Sequence, residues 1–305
     1  MESNIMIAPN LNGKVYREFL PRQNSINVFL DFIEINNEQV ILGSSNLNGR
    51  YWEGSLCYYQ NSDVCASFNI EEITAVECFD FGITDGKFLL NNQKVIVSQD
   101  SGEVKLFDIE NGELKLIKNN IEGHDDFITE ISLWSDNKNF VTSSADASIK
   151  IWNIAESGTI SCLHTFTNLH SNLISSVSVN IKDMNTFASC SYDKTAFLWD
   201  KRTNKPGAVS NSSGDVYLVD IREPKEFLSK ETCFNRSVHK IKFSPNGLLA
   251  VCADDSKIAV LDTANDDLNM IYTDNRHEDF VRGLAWKDNI LISCGWDKQV
   301  LVHNV

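Results

Sequence analysis

The chain of 305 residues is short of basic residues: Lys plus Arg number 27 against 42 Asp plus Glu, a formal net charge of −15. That deficit argues against a broad nucleic-acid surface, whose affinity comes mostly from neutralising phosphates, and against docking on an anionic leaflet. Proline is scarce at 5 and glycine modest at 15, so collagen-like and disordered readings fail. No stretch approaches the roughly 18 apolar residues that a spanning helix needs. The opening residues MESNIMIAPN lack the basic and apolar regions of a secretory signal, which makes the cytosol, and with it the nucleus, the expected compartment. None of the eight cysteines forms a C-x-x-C pair, so zinc-ribbon and redox motifs are missing. G-x-S-x-G, Walker, G-x-G-x-x-G and H-E-x-x-H patterns are missing too. No metal or cofactor is expected, and neither is enzymatic chemistry.

What the sequence does contain is a repeat. His124-Asp-Asp-Phe-Ile128 leads to Asp146 and Trp152; His170-Ser-Asn-Leu-Ile174 leads to Asp193 and Trp199; His277-Glu-Asp-Phe-Val281 leads to Asp297 and His303. The His-to-Asp intervals are 22, 23 and 20 residues. Partial versions, one carrying Asp255, bring the repeat ends to seven, near residues 58, 107, 152, 199, 219, 261 and 303. Short apolar runs bounded by turn residues lie within each repeat and nothing sustains a helical period, so the elements are strands. Repeats of about 40–45 residues with His first and Trp-Asp last resemble WD40 units, each one four-stranded propeller blade. The expected fold is all-β, a seven-bladed WD40 propeller over residues 25–305. Residues 1–24 form an N-terminal segment whose stretch Val15–Leu20 is expected to close the ring as a strand of the last blade. In the skeleton, His, Asp and Trp hydrogen-bond inside one blade and satisfy polar groups that the stacked sheets bury.

One repeat is short. Its end at 219 follows the previous one by 20 residues, where the other intervals run from 42 to 49. A strand takes about 5–6 residues, so the spacing predicts an incomplete fifth blade near 203–215 with exposed strand edges. Cys190, Cys252 and Cys294 each precede the repeat Asp by three residues and are expected to be buried small hydrophobes. His164, His239 and His303 show no ligand-like spacing. Adjacent acidic pairs such as Asp125-Asp126 would point to opposite faces of a strand and read as solvated turns.

The outlier is Leu42–Leu56, between two strands of the first repeat, where a tight turn would suffice. It reads as a longer loop with Arg50, Tyr51 and Trp52 near its tip, the residue types most enriched at binding hot spots. The alternative is that Trp52 packs back onto its own blade.

Gly43–Leu56 resembles the first-repeat loop of the methylosome WD-repeat subunits, propeller cofactors of the symmetric-dimethylating protein arginine methyltransferase. Ser98–Val104, His124–Ile128, His277–Arg282 and Gly295–Val300 match in the same order. The divergent linkers suggest an invertebrate relative such as an insect germ-plasm protein, and the short fifth repeat departs from the family pattern. The resemblance implies a non-catalytic adaptor that docks on the methyltransferase in a hetero-oligomer, with Arg50 and Trp52 in the inserting loop. It also implies Arg-rich substrates such as histones and spliceosomal core proteins, which the acidic net charge suits independently, and it leaves room for a Tudor-domain partner. Two rivals stand beside it. Trp199-Asp200-Lys201-Arg202 matches the W-D-x-R pattern of cullin-type ubiquitin ligase receptors. A propeller enzyme would need polar residues converging on the central channel, and no such set is evident in the sequence.

Overall fold

A computed structural model of the chain describes residues 29–305 apart from 49–50, 62–72, 90–92, 120–122, 137, 168–169, 180–184, 194–195, 201–206, 210–214, 220–226, 235, 237, 245–247, 254–255, 263–268 and 288. The N-terminal segment with its expected ring-closing strand, Arg50, Asp255, Lys201 and Arg202 therefore lie outside the described residues. The described residues form strands only, without a helix, in seven antiparallel sheets that follow one another along the chain. Within each sheet the strands pair in sequence order. Sheets one to four and six have four strands each, sheet seven has three, and the short fifth repeat contributes two, Asp215–Val219 and Phe227–Thr232. The architecture is an all-β propeller.

Six sheets begin with an inner strand: Phe29–Asn36, Ile83–Phe88, Ile128–Leu133, Ile174–Val179, Val238–Phe243 and Val281–Lys287. Each has a register shift against its neighbour around one residue: Asp31, Thr84, Thr129, Ser175, His239 and Arg282 respectively. A bulge adds local twist and re-aims the side chains around it. Because it recurs at the same place, equivalent positions can be read off from blade to blade.

Sheets stack by alternation. The first sheet's Ile41, Leu56 and Tyr58 pack on the second sheet's Ile83, Val95 and Val97. The seventh sheet's Ile292, Cys294 and Val300 pack on the first sheet's Leu30, Ile33 and Leu42, so the last sheet meets the first. Cys252 and Cys294 are buried as expected, but Cys190 is exposed. The difference has a physical cause. Cys252 and Cys294 are covered by residues from the following sheets, Val281 and Leu284 for one and Leu30 and Ile33 for the other. Cys190 stands on the fourth sheet, and the sheet that follows has two strands among the described residues. Tyr192, at the same turn position as Trp296, is likewise 43% exposed.

The His–Asp–Trp skeleton is a buried hydrogen-bond chain. In sheet three, Trp152 Nε1–H donates to Thr142 Oγ1 at 2.8 Å, whose hydroxyl meets His124 Nε2 at 2.7 Å. His124 Nδ1 faces the Asp146 carboxylate at 2.9 Å, which also accepts the Asp125 and Ser148 amides. Burial alone would raise the Asp146 pKa; these hydrogen bonds overcome it and hold the carboxylate below its usual range. Sheet four repeats the pattern with His170, Asp193 and Ser189; Trp199 stands on its third strand, paired with Phe187. Sheet seven uses His277, Asp297 and Ser293, and puts His303 where Trp152 stands in sheet three. Buried and bonded to Ser293 at 2.7 Å, His303 has its pKa pushed down to about 4.

Sheets two and six fill the same positions with apolar residues: Phe79, Val97 and Phe107 in one, Phe234, Val251 and Leu261 in the other. Substitution by sets follows from energetics, because a fully bonded polar network or a fully apolar one is stable, whereas a half-replaced network leaves buried groups unpaired. Thr142→Val is therefore expected to strand both Trp152 Nε1 and His124 Nε2 and to destabilise the fold by about 2–4 kcal/mol in urea unfolding. A loss below about 0.5 kcal/mol would mean that the chain is not cooperative.

Candidate protein-docking site

The first sheet carries the outlying segment. Its second and third strands, Gln39–Asn48 and Tyr51–Tyr59, are nine and ten residues long in reverse order, against five to seven in the middle strands of the other sheets. They pair continuously from Val40↔Tyr59 to Asn48↔Tyr51. The expected longer loop is thus corrected: the segment is an extended hairpin, with only residues 49 and 50 between its paired ends. The polar residues Ser44, Ser45, Asn46 and Asn48 interrupt the apolar pattern but not the ladder. Ser44 and Ser55 bond across it through their hydroxyls at 2.7 Å.

Tyr51 and Trp52 stand on the hairpin's third-strand arm, with Trp52 paired to Leu47. The base of the hairpin is fixed against the second sheet. A Cβ on Gly54 would lie 2.5 Å from the Phe81 carbonyl oxygen, so only glycine lets the turn before the second inner strand pass that closely. Phe81 itself is 46% exposed beside that base.

The channel between the inner strands is the second feature, and here the sequence reading fails. Polar residues do converge. Asp85 of sheet two meets Lys87 at 3.0 Å and Lys240 of sheet six at 3.3 Å. Glu34 of sheet one meets Lys242 at 3.0 Å and Lys87 at 3.5 Å. Glu130 of sheet three lies 4.0 Å from Lys240. Three carboxylates face three lysines, and the group is neutral as a whole. For Asp85 burial raises the pKa, and Lys240, Lys87 and the Ile131 amide together reverse this, holding it well below the usual carboxylate range. Glu34 is also lowered: burial opposes it, while Lys242 and Lys87 prevail. Lys87 is pushed above its ordinary value by Asp85 and Glu34 against the effect of burial.

These carboxylates also serve the backbone. Asp85 accepts the Ile131 amide of sheet three at 3.0 Å, and Glu130 accepts the Val177 amide of sheet four at 3.2 Å. Ser132 accepts the Val179 amide at 3.1 Å. Sheet two thus caps the inner edge of sheet three, and sheet three that of sheet four. With its charges mutually compensated, the channel is built as a structural core. Asp85 and Glu34 are both held below the ordinary carboxylate range by the lysines that face them.

Of the remaining histidines, His239 accepts from Arg282 Nη1 at 2.8 Å at the channel rim, and burial holds its pKa well below the ordinary value. His164 lies on an outer strand. Among the described residues no group of three or more His, Cys, Asp and Glu is placed to hold a metal ion, and no helix is long and apolar enough to cross a membrane.

Comparison with known proteins follows the same lines. The "WD domain, G-beta repeat" family model matches residues 115–153 and 160–200. The chain is 26% identical over 297 residues to "Methylosome protein WDR77" of Xenopus laevis, covering 87% of this chain and 86% of that protein. It is 23% identical to "Histone acetyltransferase type B subunit 2" of Candida glabrata, over 74% of this chain and 50% of that one. A chain in a solved structure, "Crystal Structure of Mitotic Checkpoint Complex", superposes with a TM-score of 0.72 at 12% identity over 90% of this chain and 89% of its own. That likeness supports the propeller fold.

The channel network is testable. Lys240→Met leaves Asp85 and Glu130 short of a buried cation and is expected to lower stability by about 3–5 kcal/mol. Equilibrium unfolding checks this, and an unchanged midpoint would remove the network from the account.

Proposed function

We propose that this chain is a non-catalytic WD40 adaptor of an arginine methyltransferase complex. It docks on the enzyme through the first-sheet hairpin and brings Arg-rich protein substrates, histones or spliceosomal core proteins, to it. The observation that carries the reading is the similarity to a methylosome protein along 87% of the chain. Two physical features support it. The hairpin holds Tyr51 and Trp52, and with them Arg50 in sequence, beyond the end of the ordinary strand pairing, on a base fixed by the Gly54–Phe81 approach. A desolvated aromatic on a rigid element loses little entropy on binding, which is how hot spots arise. The net charge of −15 favours cationic substrates and speeds their encounter in a salt-sensitive way.

In this reading the chain supplies affinity and position, and the partner supplies the chemistry. A Tudor-domain protein is a further partner for a germline role.

Co-elution with the symmetric-dimethylating methyltransferase of the same species, measured beside Trp52→Ala, tests the proposal. The parent is expected to form a complex and the variant to weaken it by about 2–4 kcal/mol with an unchanged thermal melt. A well-folded parent that fails to bind would overturn the adaptor role; equal binding by both proteins would move the anchor elsewhere.

A further inference from the structure

Sheet two differs from its neighbours where the chain enters its inner strand. In sheets three, four and seven the residue two places before that strand is polar and exposed: Asp126, Asn172 and Asp279. Each turns a side-chain oxygen onto the amide of the next residue, at 2.8 Å in all three. That next residue is large and half-buried: Phe127, Leu173 and Phe280, the last packed on Trp296 with ring centroids 5.5 Å apart. Sheet two exchanges these roles. Phe81 stands at the exposed polar position, Gly82 at the apolar one, and Asp100 at the place of Trp296.

The exchange puts an aromatic ring outside and a carboxylate beneath it. Phe81 is 46% exposed, although the backbone around it is fixed. Its carbonyl oxygen passes close to Gly54 at the hairpin base, and the Gly82 carbonyl accepts the Asp100 amide at 2.9 Å. A Cβ on Gly82 would lie 3.0 Å from Asp100 Oδ2, so the missing side chain is what lets the carboxylate lie under the turn. Asp100 Oδ1 is covered and has no hydrogen-bond partner. Burial pushes the Asp100 pKa up to about 6, which leaves it ionised at neutral pH. Asp80, exposed beside Phe81, and Glu103 add two more acids to these two turns. One lysine stands against the three, Lys105, whose Nζ lies 5.0 Å from the buried Phe79 ring.

An exposed ring alone would carry no meaning. A fixed ring rimmed by carboxylates is different, because a cation there is stabilised twice, by the ring face and by the acids. Arginine suits it better than lysine: its planar guanidinium stacks on a ring while its N–H fork reaches a carboxylate beside it. We propose that Phe81, with Asp80 and Asp100, is a subsite for an arginine of an extended Arg-rich substrate segment, the guanidinium lying on the ring. The subsite deepens the adaptor reading and rests on it for the choice of substrate. Residue 52 is two places, about 7 Å, along the hairpin arm from Gly54. A side chain held at Phe81 therefore lies at the root of the element whose tip holds the methyltransferase.

Fluorescence anisotropy of a labelled Arg-Gly-rich peptide on the full chain tests this, beside the same peptide with every Arg replaced by Lys. The Arg peptide is expected to bind several-fold more tightly than the Lys peptide. Phe81→Ala is expected to weaken it by about three- to tenfold and Phe81→Trp to restore it, with melting temperatures unchanged. Asp80→Asn is expected to weaken it by about twofold, an effect that fades as salt rises. Methyltransferase co-elution, read on the same variants, is expected to stay at the parental level. Equal binding by Phe81→Ala and the parent, or no preference for arginine, would overturn the subsite and leave the adaptor reading intact. Loss of co-elution in Phe81→Ala would overturn it too, by giving Phe81 to the enzyme interface. A parent chain that shows the expected peptide binding without co-elution would remove the adaptor reading and keep the subsite.

Discussion

Everything in this molecule depends on how the inner edge of each sheet is covered. A strand edge left bare presents unpaired amides and carbonyls, and a ring of such edges around a channel would be costly inside a folded core. The chain solves this by relay. Asp85, Glu130 and Ser132 each reach forward to cap an amide of the following sheet, and Thr129 donates to the Ile174 carbonyl at 2.7 Å. Two of the caps, Asp85 and Glu130, are carboxylates and, like Glu34 beside them, need cations. Lys87, Lys240 and Lys242 supply them from the second and sixth sheets. Edge satisfaction and channel charge are therefore one problem with one solution.

The relay also explains the weak point. Ser176 of sheet four stands where Asp85 and Glu130 stand in their sheets, next to a fifth sheet with two strands among the described residues. Its hydroxyl turns back to Glu130. On the same side Cys190 and Tyr192 are exposed, whereas their counterparts Cys294 and Trp296 lie against the first sheet. Lys240, bridging the channel to Asp85 and Glu130, ties the sixth sheet to the second and third by a route that does not pass through the fifth.

Much of the fold was legible because the repeat places like residues at like intervals. His124, His170 and His277 announce buried chains that the structure contains, while most of the short stretch at 203–215 lies outside the described residues. The apolar sets Phe79–Val97–Phe107 and Phe234–Val251–Leu261 were not legible, since apolar residues at skeleton positions look like the absence of a skeleton. The position of His303 was hidden for the same reason, by standing where a Trp is usual. The channel network was missed because its members are scattered: Lys240 and Asp85 are 155 residues apart and meet only through the shared bulge register. The hairpin is hidden in the sequence because Ser44–Asn46 and Asn48 break the apolar alternation, while the Tyr51–Tyr59 arm continues the pairing. Of the proposed docking residues, sequence supplied the residue types and structure supplied the rigid base beneath them.

A ring whose edges are capped internally, whose channel charge is cancelled and whose first sheet extends an aromatic-bearing hairpin is suited to hold another protein in place. The most direct measurement is hydrogen–deuterium exchange of the full chain with and without the methyltransferase. The account predicts added protection concentrated in the amides of residues 44–56, the hairpin and its base. Protection elsewhere on the ring with residues 44–56 exchanging as in the free chain would contradict it.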